Sequence, residues 1–174
     1  MVWATTGEMA LAGLSYMRVL GFDPGTATTG YGVVESRKSR LCYIAHGTIT
    51  TPAGQHFAER LKTIHDEAAA LIELHRPDAV AIERLFFKQN VTNGIAVAQA
   101  RGVLALAAVQ AGLIIGEFSP TEAKTAITGY GKADKKQVQE MIKILLNLDK
   151  IPRPDDAADA LGLAICQLHA GRLG

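Results

Sequence analysis

Three short apolar segments followed by a switch to helical spacing constrain the fold of this chain more than any other feature. Arg18–Phe22, Tyr31–Glu35 and Leu41–Thr48 each read as a strand. Asp23-Pro24-Gly25 makes a turn after the first, and the polar run Ser36–Arg40 separates the second from the third. Connections this short join strands antiparallel, so a three-strand meander is expected. From Phe57 the period changes. Phe57, Leu61, Ile64, Ala68, Leu71 and Ile72 share one helical stripe, which stops near Arg76-Pro77. Ala79–Ile82 is then a buried strand, Val91–Gln110 an Ala- and Gly-rich helix, and Leu113–Phe118 another strand. Ser119-Pro120-Thr121-Glu122 offers an N-cap, a Pro at the first helical position and a capping-box Glu, so a helix opens there. Lys135–Leu146 and Asp156–Leu168 complete the helices.

Helices threaded between strands make right-handed crossovers, which sets Arg18–Phe22, Ala79–Ile82 and Leu113–Phe118 parallel. The expected fold is therefore α/β, a mixed sheet with an antiparallel edge, covered by helices. The 174 residues suffice for one domain, read as residues 17–174 behind a loose leader, residues 1–16. That leader carries Glu8 but no Lys or Arg, so it is not a secretory signal. The most apolar stretch, Gly102–Gly116, is too short to span a bilayer. At 48% hydrophobic and 20% charged residues, the chain is neither disordered nor a coiled coil. Cys42 and Cys166 are the only cysteines and have no metal-ligand spacing, which fits a reducing cytoplasm.

Ligands of such sheets sit at the carboxyl ends of the parallel strands. Asp23 follows the first strand and Glu83 the fourth, while Asp156 and Asp159 are three apart on one helix face. Three segments can thus bring four carboxylates together. Like charges at close quarters are unfavourable unless they share protons or bind a cation, and oxygen-only ligands select hard cations such as Mg²⁺ or Mn²⁺. Each piece also has an ordinary reading: Asp-Pro-Gly as a plain turn, Glu83 as a solvated strand end, Asp155, Asp156 and Asp159 as partners of a helix dipole. Their coincidence is what argues for a metal site.

Leu20-Gly21-Phe22-Asp23-Pro24-Gly25 followed by Thr29-Gly30-Tyr31-Gly32-Val33 resembles the opening of the RuvC family of Holliday-junction resolvases. The resemblance continues through Ala81-Ile82-Glu83, the Phe86 region, Gln99-Ala100-Arg101-Gly102, Gly129–Val138 and Asp156-Ala157-Ala158-Asp159-Ala160-Leu161. It implies a ribonuclease-H-like fold, a homodimer, and divalent-metal-dependent nicking of four-way DNA junctions that leaves 5′-phosphate and 3′-hydroxyl ends. It also implies the branch-migration proteins RuvA and RuvB as partners. By position, Asp23, Glu83, Asp156 and Asp159 correspond to the family's acidic quartet. Asp155 is an extra carboxylate beside the expected one and leaves open which of the two is nearer the metal. The leader is a further departure from the family pattern.

The net charge of +1 does not by itself announce nucleic acid. Between Lys124 and Arg153, however, seven basic residues stand against three acidic ones, a plausible phosphate track. Lys124 and Lys135 take DNA contact by their family positions, whereas Lys136, Lys143 and Lys150 read as a solvated face. Phe86 and Phe87 follow Glu83 in a loop; Phe86 takes a base-stacking role by its place in the family pattern, and Phe87 is equally well a packing residue. The helix Val91–Gln110 can pack closely on the sheet or on another subunit. Two alternatives stand beside the resolvase reading. An actin-like or sugar-kinase nucleotide-binding module needs two facing domains, and a non-catalytic junction-binding protein would lack part of the carboxylate set.

Overall fold

The structure is a computed structural model that describes residues 16–84 and 91–171. Its sheet has the strand order β3-β2-β1-β4-β5, with β1 Tyr16–Asp23, β2 Thr28–Arg37, β3 Arg40–Thr50, β4 Ala79–Glu83 and β5 Ile114–Phe118. The helices are α1 Phe57–His75, α2 Val91–Gln110, α3 Pro120–Thr128, α4 Lys135–Leu145 and α5 Asp155–Ala170. β1, β2 and β3 form the antiparallel meander, and β1, β4 and β5 run parallel. The mixed sheet expected from the apolar pattern is therefore present.

Strand alternation sorts the core into two layers. Val19, Val34, Ala79 and Ala81 face α3, α4 and α5, whereas Leu20, Phe22, Val33, Val80 and Ile82 face α1 and α2. α1 buries Ile64, Ala68 and Ile72 of the stripe read from its spacing, and ends at Arg76 in the left-handed region, just before Pro77. The capping box at Ser119 and Glu122 is formed, and a second one joins Asp134 to Gln137. No helix among the described residues is long and apolar enough to cross a membrane.

Two differences from the sequence reading bear on the architecture. The β2–β3 ladder runs on through the polar segment, with Arg37 opposite Arg40 and only Lys38 and Ser39, both at positive φ, in the turn. Lys-Ser lacks the Asn-Gly signature of such a turn, so the segment reads as a longer loop from sequence. Tyr16, counted with the leader, is the first residue of β1, and its hydroxyl donates to Glu35 at 2.7 Å. Residues 1–15 lie outside the described residues. Glu35 itself is fully buried and also accepts from Arg18 at 2.7 Å and from Arg37, a cluster at the end of β1 remote from Asp23. Burial alone would raise its carboxyl, but the bonds from Tyr16, Arg18 and Arg37 prevail and hold it below the usual range.

Candidate active site

Asp23 ends β1 and Glu83 ends β4. With Phe22 opposite Ile82 in a parallel ladder, the next residue of each strand leaves the same sheet edge. The turn after Asp23 is tied internally: the buried Thr29 hydroxyl donates to the Gly25 carbonyl at 2.6 Å, and Thr51 donates to the Thr26 carbonyl at 2.5 Å. Glu83 is held by its backbone. Arg101 of α2 donates Nε to its carbonyl at 3.3 Å, and the next amide, of Arg84, extends the ladder to the Phe118 carbonyl at 2.8 Å.

The other two carboxylates arrive on α5, which lies against β1 and β2 backbone to backbone. A Cβ on Gly30, the partner of Asp23, would stand 2.0 Å from the Asp156 carbonyl oxygen. One on Gly21 would stand 2.0 Å from that of Ala160. Only residues without a side chain permit this approach, and it sets Asp156 and Asp159 over the end of β1.

The consequence is electrostatic crowding. Burial, and then the charges of Glu83, Asp159 and Asp156, push the Asp23 carboxyl up to about 8. Glu83 is raised as well, by burial first and then by Asp159, against the opposing effect of its hydrogen bond with Asp23. Asp159 is raised by burial although the Lys135 ammonium pulls it down. At neutral pH the Asp23–Glu83 pair thus shares a proton. Among the described residues, no three acidic, histidine or cysteine side chains are gathered closely enough to hold one ion as they stand. The donor set nonetheless fits a hard divalent cation: it is all carboxylate, and its protons compensate a charge that a cation would compensate instead.

Asp155 is directed elsewhere. Lys135 Nζ lies 3.1 Å from its Oδ2, Gln139 Nε2 3.1 Å from its Oδ1, and Arg153 pairs with it too. The Lys135 bond, followed by that of Gln139, draws its carboxyl below the usual range. Of the two adjacent aspartates, Asp156 is the one whose charge is felt at Asp23. Lys135 also lies 3.3 Å from Asp159 Oδ2. Lys124 and Lys135 line one cavity of about 240 Å³ together with Glu83 and Asp159, over an apolar floor that includes Ile127 and Ile142. The structure thus brings both lysines singled out in the sequence to the carboxylates. Phe86 lies outside the described residues.

The family model for crossover junction endodeoxyribonuclease RuvC matches residues 19–167. The chain belongs to the RuvC family. Among its relatives, the RuvC endonuclease of Rubrobacter xylanophilus is 54% identical over 155 residues, 89% of this chain and 87% of that protein. That of Heliobacterium modesticaldum is 51% identical, covering 88% of this chain and 95% of the relative. The structure of T. thermophilus RuvC in complex with a Holliday junction substrate superposes with a TM-score of 0.87 at 32% identity, covering 91% of this chain and 96% of that one. The sheet and its flanking helices are accordingly the ribonuclease-H-like fold of the family. Sequence reasoning missed Arg101 and Gln139 as supports of the site. Gln139 stands one helical turn after Lys135, a spacing that places both on one face of α4. Arg101 reaches the site through the Glu83 backbone carbonyl, which side-chain patterns do not reveal, and its guanidinium also pairs with Glu117.

Proposed function

We propose that this RuvC-family protein is a structure-selective endonuclease that resolves four-way DNA junctions, nicking opposing strands during recombination and repair and leaving 5′-phosphate and 3′-hydroxyl ends. The observation that carries the reading is the convergence of Asp23, Glu83, Asp156 and Asp159 at one sheet edge, beside Lys124 and Lys135, in a chain of this family. Two Mg²⁺ ions, with Mn²⁺ as a substitute, would be held by Asp23, Glu83, Asp156 and Asp159 and would neutralise the phosphate and acidify the attacking water. Asp23 serves the centre of the quartet and must give up its shared proton for the set to reach full charge. Arg101 and Arg84 keep the Glu83 backbone in place as that charge develops. Lys124 and Lys135, which line the same cavity as Glu83 and Asp159, meet phosphate oxygens of the cut strand and fix its position. Phe86, three residues after Glu83 in the sequence, is assigned by its family position to stack on a base exposed near the cut.

Two cuts in a two-fold junction call for two sites related by a two-fold axis, hence a homodimer. The faces of α2 support this. Ala100, Leu104, Ala107 and Ala108 are buried against the rest of the chain, while Ile95, Leu106 and Val109 are 52%, 50% and 63% exposed and share the opposite seam with Gly102. RuvA and RuvB as partners, a cytoplasmic location and a single nuclease domain that begins with β1 at Tyr16 complete the proposal. Family membership disfavours the nucleotide-binding alternative, and the filled carboxylate set disfavours a purely binding role.

A labelled four-way junction and a duplex of the same sequence, each with Mg²⁺ and with chelator, test the reading. Nicks confined to the junction and to Mg²⁺ support it. ATP turnover without nicking, or equal cutting of the duplex, overturns it.

A further inference from the structure

Lys135 stands between two carboxylates of different standing. Asp159 belongs to the quartet, whereas Asp155 makes all its described bonds to basic or amide groups: Lys135 and Gln139 on α4, and Arg153 just ahead of α5. Gln139 is only 4% exposed and aims its amide at the Asp155 Oδ1, so this carboxylate is fixed from beneath. Asp155 does not cap its own helix, whose N-cap, Pro154, makes no side-chain bond. It spans from the start of α5 to the start of α4.

Of the two bonds on the Lys135 ammonium, the 3.1 Å bond to Asp155 is shorter than the 3.3 Å bond to Asp159, and it ties the lysine to a carboxylate outside the quartet. We infer that Asp155 is a positioning residue: it holds the Lys135 ammonium in the wall of the cavity that Lys124, Glu83 and Asp159 also line, where it meets a phosphate of the junction. This rests on the junction-cleaving reading above. A carboxylate near a DNA track otherwise only repels phosphate, so its removal by itself tightens binding. Positioning predicts the opposite sign.

Junction binding in chelator and steady-state cleavage with Mg²⁺ are compared for wild type, Asp155→Asn, Asp155→Glu, Lys135→Ala and the double variant Asp155→Asn/Lys135→Ala. Positioning predicts that Asp155→Asn weakens metal-free junction binding about fivefold and raises KM in parallel, with a smaller fall in kcat. Asp155→Glu restores at least half of the loss, and in the Lys135→Ala background Asp155→Asn no longer weakens binding. Should Asp155→Asn fail to fold, Asp155→Ser removes the same carboxylate and carries the same comparison. Unchanged or tighter binding in the single variant, or an equal loss in both backgrounds, overturns the inference while wild-type cleavage leaves the function standing. A wild-type protein that neither binds nor cuts junctions overturns both.

Discussion

Replacing Asp23 by Asn should stabilise the metal-free protein while removing its cleavage activity. Asp23 is the crowded member of the quartet, its carboxyl raised from 3.8 to about 8 by burial and by Glu83, Asp159 and Asp156. A group with a raised folded-state value keeps its proton in the fold and loses it in the unfolded chain. Its effect is therefore absent below about pH 4, grows as pH rises, and levels off above about pH 8. At pH 7.5 the cost of folding with this proton in place is about 5 kcal/mol. Asparagine has no proton to retain and can still donate to Glu83, so even partial relief amounts to about 2 kcal/mol. For a chain of this size that raises the melting temperature by ~4–8 °C. The assay is thermal unfolding of both proteins in chelator at pH 5 and pH 7.5. The Asn variant should melt higher at pH 7.5, and its advantage should shrink at pH 5. Mg²⁺ should stabilise the wild type and leave the variant nearly unmoved. A variant that melts lower than wild type at pH 7.5 without metal would refute the crowding argument.

Gly30→Ala places a Cβ 2.0 Å from the Asp156 carbonyl oxygen; it should cost ~1–3 kcal/mol in melting and lower cleavage, because α5 must retreat from β2. Glu35→Gln breaks a buried ion cluster remote from the site and should cost ~3 kcal/mol of stability, while cleavage by the folded protein is kept. The depressed Glu35 carboxyl contributes stability that is present above the unfolded-chain value and lost as pH falls through the folded one, so the gap between Glu35→Gln and wild type should close in acid unfolding. Leu106→Glu on the exposed seam of α2 should yield monomers by sedimentation and uncouple the two nicks. Phe86→Ala should slow cleavage more than it weakens binding, with Phe86→Trp tolerated better than Phe86→Leu, as measured on matched and mismatched junctions.

Much of this architecture was legible because local signals agreed. The stripe Phe57–Ile72, the run Ala79–Ile82 and the capping box at Ser119 each point to the element that forms. Parallel pairing then followed from handedness, and with it the meeting of Asp23 and Glu83. Long-range contacts were less accessible. Only Arg37 among the Glu35 partners is local, while Arg18 and Tyr16 come from another strand, so the burial of Glu35 is hard to see in the sequence. The roles of Gly21 and Gly30 emerge only when α5 is laid on the sheet. Asp155 and Asp156 are adjacent and chemically identical in sequence; helical geometry turns one toward Lys135 and leaves the other beside Asp23.

The proposed dimer carries two carboxylate quartets, one per subunit, that would cut a four-way junction in concert. A supercoiled plasmid extruding a cruciform tests it directly, because relaxation after a single nick reabsorbs the junction. With Mg²⁺, paired cutting within one encounter should convert the cruciform plasmid to linear DNA whose ends are sealed by ligase, and Asp156→Asn should abolish this conversion while Asp155→Asn retains it. Nicked circles as the only product, or linear product undiminished in Asp156→Asn, would rule out concerted cutting by this quartet.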